Sequence, residues 1–263
     1  MGNESQLRKY GPWALVTGAS DGIGRAMAVE LAQNGLNLVL VARRQAVLES
    51  LAEELEQGSG VLVRVIAADL SLASEVDRVC METKDLDVGL LVAAAGYGLG
   101  GKFQQTPLAN DLDMLDVNCR AVLSLTKIFA ERFAKRRAGG IVLMSSIVAF
   151  QGVALASNYA ATKAYIQTLA EGLRTELAPL GIDVLSCAPG PVRSGFAARA
   201  GMQLGRTVDP RTVARQALRA LGRQTTVFPG LLSKVLVGSL SLLPRQGRIA
   251  IMGRIMMGMT RQG

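Results

Sequence analysis

Ala14-Leu15-Val16-Thr17-Gly18-Ala19-Ser20-Asp21-Gly22-Ile23-Gly24 begins as a short apolar run, turns through spaced glycines and enters a segment of helical period. Glycines in such a turn let the backbone lie close to a ligand. The free N–H groups and positive end of the following helix attract a pyrophosphate. A glycine triplet alone occurs by chance in many loops, and it gains meaning here from its seat between a strand and a helix. The stretch predicts the first strand–helix–strand unit of a dinucleotide-binding α/β fold, with Gly18, Ser20, Asp21, Gly22, Ile23 and Gly24 at the cofactor.

The alternation continues outward from there. Residues 14–16, 38–41, 61–67, 89–93, 141–144 and 182–188 are apolar and read as strands, while 24–34, 46–57 and 159–177 read as helices. Near-continuous apolar strands separated by helices imply a parallel sheet covered on both faces, and right-handed crossovers make it doubly wound. No linker, repeat or low-complexity tract interrupts the chain before about residue 205, so residues 1–263 are expected to form one cofactor-binding domain. Segments 231–243 and 249–259, divided by Pro244 and Gly247, read as a helical pair within a C-terminal extension over 229–263.

Composition narrows the chemistry. The 263 residues are 49% hydrophobic, enough for a large core, and contain no histidine. That absence removes the usual metal ligand and the usual base of serine and cysteine hydrolases, so no metal site is expected and proton transfer falls to Tyr, Lys, Asp or Glu. Cys80, Cys119 and Cys187 are widely spaced, without a disulfide or metal pattern, which fits a reducing compartment and a cytoplasmic location. Residues 1–10 are polar and lack a signal-peptide pattern, so export is not expected; Gly2 fails the myristoylation pattern because Ser5 precedes Gln6 at the required position. The net charge is +8, but residues 210–263 hold nine Lys or Arg and no Asp or Glu, leaving the first 209 residues at −1. With aromatics at only 4%, nucleic acid is not an expected partner.

The second strand ends in Ala42-Arg43-Arg44, and no carboxylate appears until Glu49. An NAD site ordinarily presents Asp or Glu here to the ribose 2′-hydroxyl, whereas cations without an acid suit a 2′-phosphate. Arg43, then Arg44, are therefore assigned to NADP(H), against the alternative that both merely solubilise a helix start. Asp69 and Leu70 close the third strand, where Asp69 could meet the adenine amino group or cap the helix beginning near Leu72. Ala95 and Gly96 follow the fourth strand and are small enough to let a cofactor lie against backbone, although tight packing would ask for the same residues.

Tyr159 and Lys163 stand four apart in a helical stretch of small neighbours, so both project from one face. A phenol titrates near ~10, about three units too high for proton exchange at neutral pH. A cation at ~4 Å is worth on the order of 4 kcal/mol at an effective dielectric of ~20, enough to tune it. Ser145 and Ser146 leave the fifth strand, where open sheets place ligands, and the chemistry of the pair alone leaves both as donors to a substrate oxygen. Apolar Phe150, Leu155, Phe196 and Met202 suggest a greasy substrate pocket.

Taken together, Thr17-Gly18-x-x-x-Gly22-Ile23-Gly24, Asp69, Ala95-Gly96, Asn118, Ser145-Ser146, Tyr159-x-x-x-Lys163 and Pro189-Gly190-Pro191-Val192 resemble a compact short-chain dehydrogenase/reductase over about residues 13–194. The resemblance implies a three-layer, doubly wound Rossmann fold on a parallel, seven-stranded sheet. It implies reversible hydride transfer between NADP(H) and a carbonyl/alcohol pair, with Ser146, Tyr159 and Lys163 catalytic and Asn118 holding a water that links Lys163 to solvent. It further implies a lid over 192–208, cofactor contacts from Pro189, Gly190, Val192 and Ser194, and a homodimer or homotetramer. Two positions depart from the family pattern: Ala93-Ala94 replaces a pair of asparagines, and Ser194 stands where a threonine is usual. The competing reading is a non-catalytic NADP(H)-binding sensor or scaffold. An extended-type epimerase would need another glycine spacing. Apolar helices with basic residues and no acids suit burial against the core or a second subunit, or contact with an anionic membrane surface; burial, the commoner fate, is expected first.

Overall fold

The computed structural model describes residues 7–201, 203, 205 and 207–260, so Gly2, Ser5, Gln6 and Met202 lie outside the described residues. Strands β1 (Trp13–Thr17), β2 (Asn37–Ala42), β3 (Val63–Ala67), β4 (Val88–Ala93), β5 (Gly139–Met144), β6 (Ile182–Cys187) and β7 (Thr226–Val227) form one sheet in the order β3-β2-β1-β4-β5-β6-β7. Every pairing is parallel, with Leu15 opposite Val39 on one side and Leu91 on the other. The six strands expected from the sequence are present to within two residues at each end. The seventh, β7, is two residues long and gives no periodic signal.

Helices α1 (Gly22–Gln33), α2 (Gln45–Ser59), α3 (Ala73–Met81), α4 (Leu108–Leu115), α5 (Val122–Arg136) and α6 (Ser157–Leu177) cross between strands, followed by α7 (Phe196–Ala200) and α8 (Pro210–Ala220). Starts are set locally. Asp21 accepts a hydrogen bond from Gly22 N at 2.7 Å, and Asp209 accepts from Arg211 N at 2.8 Å ahead of Pro210 in the first turn, satisfying donors that a helix start leaves open. Asp69 caps no helix: its Oδ1 accepts from Ser71 N and Ser71 Oγ, and α3 begins beyond it with no side-chain cap.

Two apolar layers flank the sheet, giving the three-layer Rossmann architecture. Met27, Leu31, Leu48 and Leu51 cover one face with α8, while Phe129, Phe133, Val79 and Ile166 cover the other. Phe129 and Phe133 are fully buried with ring centroids 5.9 Å apart. The strand order reverses between β1 and β4, and open α/β sheets bind ligands at that crevice. Ala95 N donates to Thr17 Oγ1 at 3.0 Å, tying the two strand ends across the crevice although Ala93-Ala94 supplies no amide side chains.

The C-terminal extension forms α9 (Leu231–Ser241) and α10 (Arg245–Thr260). Their break falls at Leu242 to Pro244, and Gly247 is not part of it: the helix runs through Gly247 because Pro244, directly before Arg245, already supplies the stop. Replacing Phe133 by Ala should lower unfolding free energy in urea by about 3–5 kcal/mol, the cost of an emptied aromatic site in a close-packed layer; a loss below about 1 kcal/mol would contradict the packing.

Candidate active site

A cavity of about 530 Å³ opens at the carboxyl ends of the strands. Its floor is the turn between β1 and α1. Gly18 adopts a φ of +67°, in the left-handed region that glycine tolerates, and a Cβ on Gly24 would lie 2.2 Å from the Gly18 carbonyl oxygen. Helix α1 therefore begins in contact with the turn, and its amino end faces the cavity with Ser20, Asp21, Gly22 and Ile23. The wall beyond continues through Arg43, Arg44, Asp69 and Leu70, then Ala95 and Gly96, and closes with Pro189, Gly190, Val192 and Ser194. All the residues assigned to the cofactor from the sequence thus line one crevice.

The two arginines are placed differently. Arg44 Nη2 donates to Ser20 O and Ser20 Oγ, each at 3.1 Å, whereas Arg43 Nη1 lies 3.8 Å from Asp69 Oδ2. Both guanidinium groups border the cavity, and the end of β2 carries no acid, so the donor set fits a phosphate on the ribose. A pyrophosphate fits the glycine turn for the same reason: backbone N–H groups at a helix start and no Cβ in the way.

Tyr159 and Lys163 lie one turn apart on α6, both buried, with Lys163 Nζ 5.8 Å from the centre of the Tyr159 ring. The ammonium donates to Met144 O at 2.9 Å, and Ser145 Oγ donates to Lys163 O at 3.1 Å. That second bond commits the Ser145 hydroxyl to joining β5 and α6. Ser146 Oγ donates to Pro189 O at 3.5 Å and accepts from Val148 N at 3.4 Å, and it is the serine near enough to Tyr159 to act on its phenol. Asn118 does not line the cavity. It is buried in a π-helical turn over Asp116–Ala121, where it accepts from Tyr97 N at 3.1 Å and donates to Tyr97 O at 2.8 Å and Thr162 Oγ1 at 3.1 Å. A Cβ on Gly96 would come 2.9 Å from Asn118 Oδ1 and 3.4 Å from Lys163 Nζ, so a small residue is needed there.

The electrostatics differ from the sequence expectation. Burial pushes the Tyr159 phenol up from 10.0 to about 12, with the Ser146 hydrogen bond opposing, and burial pulls Lys163 down from 10.5 to about 8. The ammonium is turned toward Met144 O, and desolvation is the largest influence on the phenol in this state. At neutral pH the pair is a neutral phenol beside a mostly charged amine.

Sequence reading missed part of the cavity. Leu232 and Leu236 of α9, with Met252, Ile255, Met256 and Met259 of α10, form its roof, and Tyr97 and Arg199 complete the rim. Their spacing, four apart on one helix and three to four apart on the other, is the signal that marks an inward face. Phe196 does line the cavity, its ring 5.5 Å from that of Tyr159, but Phe150 and Leu155 do not: Phe150 pairs with Phe228 at 5.5 Å, and Leu155 packs behind the wall in the third apolar cluster. Among residues 192–208, Val192 and Val208 bridge in parallel, and Gly195 N donates to Asp21 Oδ2 at 2.9 Å, which draws this segment onto the glycine turn.

Residues 12–204 match the family model for short chain dehydrogenases. The chain belongs to that family. It is 30% identical over 251 residues to a 7beta-hydroxysteroid dehydrogenase of Clostridium sardiniense, covering 94% of this chain and 96% of that one. It is 38% identical over 186 residues to a very-long-chain 3-oxoacyl-CoA reductase of Podospora anserina, covering 68% of this chain and 55% of that protein. A short-chain dehydrogenase from Sphingobium yanoikuyae, solved in complex with NADPH, superposes with a TM-score of 0.80 at 32% identity, over 89% of this chain and 97% of that one. Membership makes this short-chain dehydrogenase an oxidoreductase of a family that uses NAD(P)(H) and acts on small molecules. If the electrostatic reading holds, the ultraviolet phenolate titrations of the ligand-free wild type and Tyr159→Phe coincide up to about pH 10; an extra phenolate in the wild type at or below about pH 8 would refute it.

Proposed function

We propose that this short-chain dehydrogenase interconverts a bulky, apolar ketone or aldehyde with its alcohol, using NADP(H). The observation that carries the reading is the meeting of Ser146, Tyr159 and Lys163 at the junction of a glycine-lined crevice and a roof of methionine and leucine side chains. Unbranched methionines adapt to irregular apolar shapes, which suits a ring system or long chain better than a small polar carbonyl. The names of the relatives, a steroid dehydrogenase and a very-long-chain acyl reductase, support the same class.

In the proposed reaction the carbonyl oxygen accepts hydrogen bonds from Ser146 Oγ and the Tyr159 hydroxyl. The dinucleotide, when bound along Gly18 to Gly24, supplies or accepts the hydride. Tyr159 hands its proton to the oxygen as negative charge develops there, and Ser146 stabilises that charge. Lys163 provides the cation that makes the departing proton easier to release, and Asn118 is a positioning residue that fixes the backbone at Tyr97 beside Gly96. Arg43 and Arg44 hold the 2′-phosphate and Asp69 the adenine edge. The segment over 192–208 acts as the lid, with Phe196 pressed on Tyr159.

We further propose that copies of this chain associate as a dimer or tetramer: Leu108, Leu112 and Leu115 form an exposed stripe along α4 at helical spacing. Three unpaired cysteines, Cys80, Cys119 and Cys187, support work in a reducing compartment, the cytoplasm.

Tyr159→Phe should leave NADPH affinity within about threefold while ketone reduction falls by at least about 10³, because only the transferable proton is removed; comparable turnover by the variant would refute the role. Arg43→Ala should weaken NADPH by about tenfold or more with little change for NADH, one charge-assisted phosphate contact being lost. Equal losses for the two dinucleotides, followed by protein fluorescence quenching, would exclude the phosphate contact.

A further inference from the structure

Helix α9 is apolar on two opposite sides. Ser233, Leu236, Val237 and Leu240 point inward, Ser233 Oγ accepting from Gly190 N at 3.0 Å. On the reverse side Leu231, Val235 and, at the C-cap, Leu242 are 78%, 59% and 86% exposed, with Gly238 between them. At 100° per residue these four positions fall within a narrow solvent-facing stripe. A helix apolar all round is ordinarily covered all round, yet among the described residues nothing of this chain covers that side. Leu243, ahead of α10, and Ile249 and Met257 on it are also exposed.

Charge identifies the cover. Exposed Lys234, Arg245 and Arg254 lie on the same two helices, and no Asp or Glu occurs anywhere from residue 210 onward. A second copy docked through this face about a two-fold axis would bring cations against cations, with no carboxylate from either tail to offset them. The stripe on α4 differs, because Asp111, Asp113 and Asp116 accompany it. Exposed leucines beside cations without acids match the boundary of a bilayer containing anionic lipid, where side chains sink below the headgroups and ammonium and guanidinium groups meet phosphates. Among the described residues no helix is long and apolar enough to cross a membrane, so the contact is one of lying on the surface. Leu232 both lines the cavity and is 46% exposed, which makes this face continuous with the mouth of the site.

We propose that the outer face of α9 and the adjoining surface of α10 dock the protein onto an anionic phospholipid surface. The inference rests on the surface alone and stands or falls independently of the substrate reading. Its test uses the full-length protein and flotation with two kinds of vesicle, phosphatidylcholine alone and phosphatidylcholine with phosphatidylglycerol. The wild type should float with the anionic vesicles, bind neutral ones about tenfold more weakly or worse, and be released by salt. Leu231→Ser/Val235→Ser/Leu242→Ser should reduce flotation by about tenfold or more while keeping the wild-type sedimentation coefficient, thermal midpoint and turnover of a water-soluble ketone. Failure of the wild type to float with anionic vesicles, or equal flotation of the triple variant, would overturn the proposal. So would a drop in oligomeric state of the triple variant, which would identify the face as a contact between copies. Flotation and its loss are read without catalysis, so an inactive protein that still floats would sink the functional reading and leave the docking intact.

Discussion

A buried ammonium group organises this molecule. Lys163 extends from α6 to donate to Met144 O at the end of β5, and Ser145 answers from that strand end by donating to Lys163 O. Two bonds running in opposite directions fix the height and rotation of a 21-residue helix against the sheet. Burial of a cation is costly and is sustained by polar partners; here the Met144 carbonyl at the strand end supplies one. Because Tyr159 lies one turn before Lys163 on the same helix, fixing the amine also fixes the phenol, and the distance between them is decided by the helix rather than by flexible loops.

The sequence revealed most of this because each part obeys a local rule. Strands β1 to β6 are mostly apolar runs, the turn at Gly18 to Gly24 has a backbone requirement that other residues meet poorly, and Tyr159 and Lys163 share a face by helical arithmetic alone. What escaped reading has no local rule. β7 is two residues long, held by Gln167, which joins Ser186 of β6 to Thr226 through hydrogen bonds of 2.6 and 2.7 Å. The choice between Ser145 and Ser146 depends on which hydroxyl the α6 backbone occupies, a tertiary fact. Phe150 looked like a pocket residue by type, and its actual partner, Phe228, is distant in sequence.

The C-terminal helices show the same limit in another form. Their apolar character was plain, yet composition cannot assign faces. Met252, Met256 and Leu236 roof the cavity, so the tail that exceeds the family match is part of the wall around Ser146, Tyr159 and Lys163. Among the described residues, those on the outer side of α9 have no counterpart in the fold to cover them.

The two ionisable groups pose a question of magnitude that geometry can answer. Lifting the Tyr159 phenol from 10.0 to about 12 corresponds to roughly 3 kcal/mol in favour of the neutral form. A unit charge brought to ~4 Å of the hydroxyl offsets on the order of 4 kcal/mol at an effective dielectric of ~20, slightly more than burial imposes. With the ammonium instead committed to Met144 O, the balance stays on the side of the phenol that keeps its proton.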